Sequence, residues 1–191
     1  NKGLTAADMA TLGMILRTNG LPRLQRLHLH CNGERERQEW SLPSGFGDAG
    51  VQALCDGLGR GAAPALRVLC LSHNKFGPVG AESLAAALRR GAMPKLAALH
   101  LDGNPIGNQG VAALAEPLRK LPALQRLSLD WCGIGDEGVT SLVADLGKDD
   151  FQVLEFLDLA KYDSKNLLTD KAFATLASAL NEGSMPKLTE L

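Results

Sequence analysis

Aromatic residues are scarce, at 4% of the 191 residues, with one Tyr and two Trp. The interior must therefore be built from Leu, Val and Ala rather than from large rings. Neither sign of charge dominates: 20 Lys and Arg stand against 21 Asp and Glu, for a formal net charge of −1. A surface that grips nucleic acid or an anionic membrane carries a positive excess, so no nucleic-acid partner is expected. No apolar run reaches the roughly 18 residues of a membrane span, so no membrane span is expected either. The four cysteines (Cys31, Cys55, Cys70 and Cys132) form no CxxC pair and no dense framework. They read as reduced thiols, and a cytoplasmic location is expected from them.

What is present in quantity is Leu, Ala and Gly, arranged periodically. The phrase Leu-x-x-Leu-x-Leu occurs at Leu24-Leu27-Leu29, Leu66-Leu69-Leu71, Leu96-Leu99-Leu101, Leu124-Leu127-Leu129 and Leu154-Leu157-Leu159. A sixth copy begins at Leu188, and the sequence stops on its second leucine, Leu191. Subtracting the first leucines (Leu24, Leu66, Leu96, Leu124, Leu154, Leu188) gives spacings of 42, 30, 28, 30 and 34. The basic unit is thus roughly 30 residues, with two enlarged copies, and a fixed period of this size is the mark of a solenoid. Each unit splits into two local periods. In Val68-Leu69-Cys70-Leu71-Ser72 the leucines alternate, as on one face of a short strand. Ala81, Leu84 and Leu88 then follow at helical spacing, as do Val111, Leu114 and Leu118, and Val139, Leu142 and Leu146. Gly61, Gly91 and Gly183 close helices, with Pro64, Pro94 and Pro186 three residues on. A strand followed by a returning helix in every unit yields parallel strands with the helices outside.

The unit Leu96-x-x-Leu99-x-Leu101-x-x-Asn104-x-Ile106-Gly107-x-x-Gly110-x-x-x-Leu114 resembles the leucine-rich repeat of ribonuclease-inhibitor type, and the likeness runs over essentially the whole sequence. It implies an α/β horseshoe, with a parallel sheet on the concave face and helices on the convex face. One solenoid fragment over 1–191 is expected, of about five full repeats. Strands are expected near 26–30, 68–72, 98–102, 126–130 and 156–160, plus a leading half repeat and a truncated sixth strand. The family's turn-bonding Asn falls on Asn32, Asn74 and Asn104, with Cys132 in the fourth unit. Tyr162 stands at that place in the fifth unit and departs from the pattern. Met9, Leu12, Leu16, Leu188 and Leu191 follow the interior pattern, so neither end reads as a polar cap. Contacts to further repeats or neighbouring subunits are expected at both ends, and poor solubility or self-association of residues 1–191 alone.

In such a horseshoe the residues between the leucines line the concave face in rows. The central row reads His28, Cys70, His100, Ser128, Asp158, and the one before it Arg26, Val68, Ala98, Arg126, Phe156. The next rows read His30, Ser72, Asp102, Asp130, Ala160, and then Cys31, His73, Gly103, Trp131, Lys161. Trp131, Phe156 and Arg126 gather toward one end, and large aromatics with Arg are the usual anchors of an interface. The candidate partner-binding set is Arg26, His28, His30, Trp40, His100, Asp102, Arg126, Asp130, Trp131, Phe156, Asp158 and Lys161. Trp40 belongs to it through the insertion Gly33–Gly45, an alternating charge run followed by Trp40 and Leu42. Such insertions leave solenoids from one face, often the binding face. A tolerated surface loop is the equal alternative.

Two chemistries are weighed and set aside. Four histidines and nearby thiols suit zinc by type, but their spacing is not that of a dedicated motif and a flat sheet splays side chains apart. No metal and no cofactor is expected. His100, Ser128 and Asp158 could be strung together as a catalytic set, yet a strand surface supplies neither an elbow nor spare N–H donors for an oxyanion. The expectation is a non-enzymatic recognition or scaffold module with a protein partner. The resemblance implies three settings: a direct inhibitor, the sensing arm of a nucleotide-binding immune-type receptor, or a structural subunit. The alternative is a GTPase-activating protein like the activator of Ran. Leu101→Ala is expected to be costly, and Asp130→Ala nearly silent.

Overall fold

A computed structural model describes residues 3–30, 45–144, 146–147, 149–159, 165–181 and 183–191. Helices and strands alternate: α1 (Ala6–Arg17), β1 (Arg26–His28), α2 (Gly47–Gly57), β2 (Val68–Cys70), α3 (Pro78–Arg89), β3 (Ala98–His100), α4 (Gly107–Arg119), β4 (Arg126–Ser128), α5 (Asp136–Val143), β5 (Phe156–Asp158) and α6 (Asp170–Asn181). The strands form one parallel sheet in the order β1-β2-β3-β4-β5. Its register pairs Arg26 with Val68, Val68 with Ala98, Ala98 with Arg126 and Arg126 with Phe156. The leucine alternation thus translates directly into rows. Glu190 forms a further parallel bridge to Phe156, and the Leu157 amide donates to its carbonyl at 3.1 Å.

One continuous core runs the length of the sheet. Leu69, Leu71, Leu99, Leu101, Leu127, Leu129 and Leu157 are all at most 1% exposed, while Leu27 on β1 is half-buried. Each fully buried leucine contributes roughly 1.5–3 kcal/mol. Helices pack outside it, and the α1–α2 contact is closest at Gly13 and Gly57. A Cβ on Gly57 would lie 2.3 Å from the Gly13 carbonyl carbon, so only glycine permits this approach. Met9 and Leu16 of α1 are buried, whereas Met14 and Ile15 on its other side are exposed, as is Leu191.

Past the three-residue strands backbone bonds continue between units, as from the His73 amide to the Asp102 carbonyl at 2.8 Å, and side chains join them. Asn74 donates from Nδ2 to the carbonyls of Leu29 (2.7 Å) and Leu71 (2.8 Å), and its own amide donates to Asn104 Oδ1 at 2.8 Å. Asn104 repeats this with Leu71 (3.0 Å) and Leu101 (2.7 Å). Both asparagines are 0% exposed, so these bonds replace water for carbonyls that would otherwise be buried unpaired. Cys132 does the same work with one proton: Sγ lies 3.4 Å from the Leu101 carbonyl and 3.5 Å from that of Asp130. Burial pushes its thiol up to about 12, and that of Cys55 likewise, so both stay protonated at neutral pH.

In the fifth unit the ladder residue is Asn166. Its Nδ2 donates to the carbonyls of Leu129 (2.9 Å) and Leu159, and its Oδ1 accepts from the amides of Cys132 and Ile134 at 3.0 Å each. Counting a fixed distance from the strand lands on Tyr162, which lies outside the described residues. The enlargement of this unit moves the asparagine four positions along the chain.

Helix starts are tied between units by a second device. Asp48 Oδ1 accepts from the amides of Gly77 (2.7 Å) and Gly80 (2.8 Å) at the start of α3. Asn108 Oδ1 does so for Gly135 (2.8 Å) and Gly138 (3.2 Å) at α5, and Asp136 for Thr169 (2.9 Å) ahead of α6. Each is a cap supplied by the preceding unit rather than by the helix's own entry residue. The corresponding residue of α3 is Pro78, which has no side-chain acceptor to offer. The Gly107 amide at the start of α4 is bonded instead to the Cys132 carbonyl at 2.9 Å.

Candidate protein-binding surface

Strand residues that point away from the core lie on the concave face, and the sheet places most of the sequence-expected set on it. Trp40 and Lys161 lie outside the described residues. Among the others, Arg26, His28, His30 and Arg126 are exposed, and His100, Asp102, Trp131 and Phe156 are half-buried. Asp130 and Asp158 are 7% and 6% exposed. That pair is sunk into the face, which changes what its members can do.

The carboxylates are joined through serines. Ser72 Oγ donates to Asp102 Oδ2 at 3.0 Å, and Ser128 Oγ donates to Asp102 Oδ1 and lies 3.3 Å from Asp158 Oδ2. Asp130 Oδ1 accepts from the Trp131 amide at 2.8 Å. Alternation along a strand says only that these residues leave the core. It does not say that the cross-strand neighbours, about 4.8 Å away, will cover and bond them. The expectation that Asp130→Ala is nearly silent is therefore corrected, because the change strips a partner from a backbone amide at a buried site. The serine also bears on catalysis. Ser128 has one proton, and its neighbours at hydrogen-bond distance are two carboxylates.

Trp131 stands out by its backbone. Its φ is 56°, in the left-handed region, and the residues at the same place in earlier units are His73 (φ 56°) and Gly103 (φ 67°). For a residue with a Cβ this conformation costs on the order of 1–2 kcal/mol, and glycine is its usual occupant. At Gly103 a Cβ would also meet His73 Nδ1 at 2.1 Å, so glycine is needed there twice over. The turn thus holds an imidazole, a glycine and an indole in successive units, and the strain of keeping a side chain in this conformation collects at functional positions. The Lys165 Nζ lies 5.2 Å from the centre of the Trp131 ring, and the Arg126 guanidinium carbon 5.6 Å from that of Phe156. One cation–aromatic pair therefore lies at the start of β4 and β5 and the other in the turn beyond β4, roughly 16 Å apart at the rise of an extended chain. Lys165 is not in the sequence-derived set, because the enlargement hides its place in the unit.

At the opposite end His28 and His30 project from β1 beside Cys70 of β2. The two imidazoles are 6.2 Å apart between centroids with planes at 88°. The ligand atoms of His28, His30 and Cys70 all lie within 4.8 Å of one another. The splaying expected of a flat sheet is offset here by the reach of the rings. Among the described residues no helix is long and apolar enough to cross a membrane.

Comparison with known proteins agrees with this architecture. A model of the leucine-rich repeat matches residues 63–85, 92–115 and 120–143. No curated protein matches the sequence. Among solved structures, the chain is similar to the tropomodulin C-terminal domain from Caenorhabditis elegans at 12% identity, covering 91% of this chain and 92% of that one, with a TM-score of 0.61. It is also similar to leiomodin-1 actin-binding site 2 at 13% identity, covering 91% and 87%, with a TM-score of 0.57. At these identities the likeness is one of fold. With repeats matched in its central units and a parallel sheet lined by buried leucines, the chain folds as an α/β leucine-rich-repeat solenoid.

Proposed function

We propose that this chain is a non-enzymatic recognition module, of the ribonuclease-inhibitor type within the leucine-rich repeats, that binds a protein through the β4–β5 end of its concave face. Units of roughly 30 residues, each with a full α-helix on the outside, support the subtype. The observation that carries the binding reading is Trp131, a half-exposed aromatic kept in a left-handed turn and paired with Lys165, with Arg126 and Phe156 paired at the start of the same two strands. Asp130 and Asp158 act mainly as the floor that holds this group, and Asp102 offers the carboxylate beside it. His100 belongs to the adjoining surface, Arg26 to its far edge. Thiols buried in separate units suit a reducing, cytoplasmic setting. No observation favours GTPase activation over simple binding.

A photo-cross-linking amino acid placed at Arg126 tests the face, with one at Glu82 on the exposed side of α3 as the reference. Discrete protein adducts from the first site and not the second are expected in native extract. Adducts from α3 alone would overturn the choice of face. Monomeric actin is the first purified partner to try, since the leiomodin-1 domain of similar fold is described as an actin-binding site. Trp131→Gly is the decisive variant, because glycine suits that turn. The chain should stay folded while partner affinity falls by about 2 kcal/mol or more, as for an interface anchor.

A further inference from the structure

We propose that His28, His30 and Cys70 form a binding site for a single borderline divalent transition-metal ion, of the zinc or cobalt type, at the β1–β2 end of the concave face. His28 and Cys70 are register partners on adjacent strands, and His30 follows two residues along from His28. The three donor atoms already stand within 4.8 Å of one another. In a tetrahedral site with metal–nitrogen bonds near 2.0–2.1 Å and metal–sulfur bonds near 2.3 Å, donors stand roughly 3.3–3.7 Å apart. Closing that gap takes side-chain rotation of the two exposed imidazoles, with no movement of the sheet. Two imidazoles and a thiolate select zinc, cobalt or copper over magnesium and calcium, which take oxygen ligands.

The surroundings of the sulfur fit the role. Cys70 Sγ lies 3.4 Å from Ser72 Oγ, and that hydroxyl donates to Asp102 at 3.0 Å. In the free protein the thiol proton therefore points to the serine oxygen. On binding, the S–H bond breaks, its proton leaves to solvent, and a metal–sulfur bond forms, while both imidazoles coordinate as neutral ligands. The serine hydroxyl can then turn to the thiolate and support it from behind. Three protein ligands leave the fourth position open to water or to a donor from a partner. The site is separate from the Trp131 end and does not depend on what binds there.

Titration of tag-free protein with Co(II), followed by absorption, tests the assignment. One equivalent is expected, with the intense visible bands of a tetrahedral ion and a sulfur-to-cobalt charge-transfer band, both displaced by Zn(II). Cys70→Ser should remove the charge-transfer band, and His28→Ala or His30→Ala should abolish tight binding. Both histidines are exposed, so these two variants keep the fold, which circular dichroism checks. His73→Ala, on the neighbouring strand end, should bind as the unchanged protein does. Zn(II) should raise the Tm of the unchanged protein and not that of His28→Ala. Binding without the charge-transfer band, binding that survives His28→Ala, or equal loss in His73→Ala would each overturn the site.

Discussion

The two ends of the concave face share one backbone geometry and differ in how their side chains are used. At the β1–β2 end His28, His30 and Arg26 project clear of the sheet, and Leu27 beneath them is half-buried. At the β4–β5 end Ser128, Asp130 and Asp158 are sunk and hydrogen-bonded, and Leu127 beneath is fully buried. A repeat fold fixes where side chains project and leaves their chemistry open. Polar residues there become either ligands or braces according to what their cross-strand neighbours can bond.

The sharpest way to break this comparison is in the core. Leu101→Ala should cost about 2–5 kcal/mol, and Leu27→Ala clearly less, because its side chain is only partly removed from water. Denaturant midpoints of the two variants decide it, and equal losses would mean that β1 is as well packed as β3. Next comes the asparagine ladder. Asn104→Ala removes the acceptor of the buried Asn74 amide and one of the two side-chain donors to each of the Leu71 and Leu101 carbonyls, at about 1–3 kcal/mol for the amide left unsatisfied, whereas Cys132→Ala gives up a single weak thiol donor and should cost less. A smaller contrast separates the two ends: Asp130→Ala should lose about 1 kcal/mol and His28→Ala less than about 0.5 kcal/mol. Thermal melts of the pair measure it.

The last and smallest effect is one of pH. Burial pushes the Asp150 carboxyl up, but the Lys120 ammonium at 2.7 Å, the Gly147 amide and Arg119 together hold it below the ordinary range. A carboxyl lowered in the folded state contributes stability above its unfolded value of about 3.9, and loses it as pH falls through the folded value. Asp150→Asn should therefore flatten the decline of Tm toward acid pH relative to the unchanged protein, with the two curves converging below the folded value.

Much of this molecule is legible in its residues alone. Leucine alternation sets the strand register residue by residue, because a period of two admits only one face for the core. The asparagine of the fifth unit is not legible in the same way, and counting lands on Tyr162, since an insertion between strand and turn carries no mark of where the pattern resumes. The convergence of His28, His30 and Cys70 escapes spacing for another reason: spacing describes Cα positions, while imidazole reach is set by rotamers. Burial of Asp130 and Asp158 is hidden because it comes from neighbours a whole repeat away in sequence. The lateral caps are legible in part, as a polar residue directly after the glycine that opens a helix, at Asp48, Asn108 and Asp136, but which unit they serve depends on stacking.

Those caps have a consequence for how the solenoid comes apart. Asp48 ties α2 to α3, Asn108 ties α4 to α5 and Asp136 ties α5 to the turn before α6, while Pro78 breaks the series between α3 and α4. In a one-dimensional chain of units, stability is the sum of each unit and its interface with the next. The α3–α4 junction is tied by other means: Arg89 of α3 donates to the Ala113 carbonyl of α4 at 3.0 Å and pairs with Glu116 at 3.4 Å on the exposed side. Salt screens an exposed ion pair more than a part-buried cap on backbone amides. Raising the ionic strength should therefore loosen this junction more than its neighbours, so the order in which the units part under mild denaturation becomes a property of the solvent as well as of the sequence.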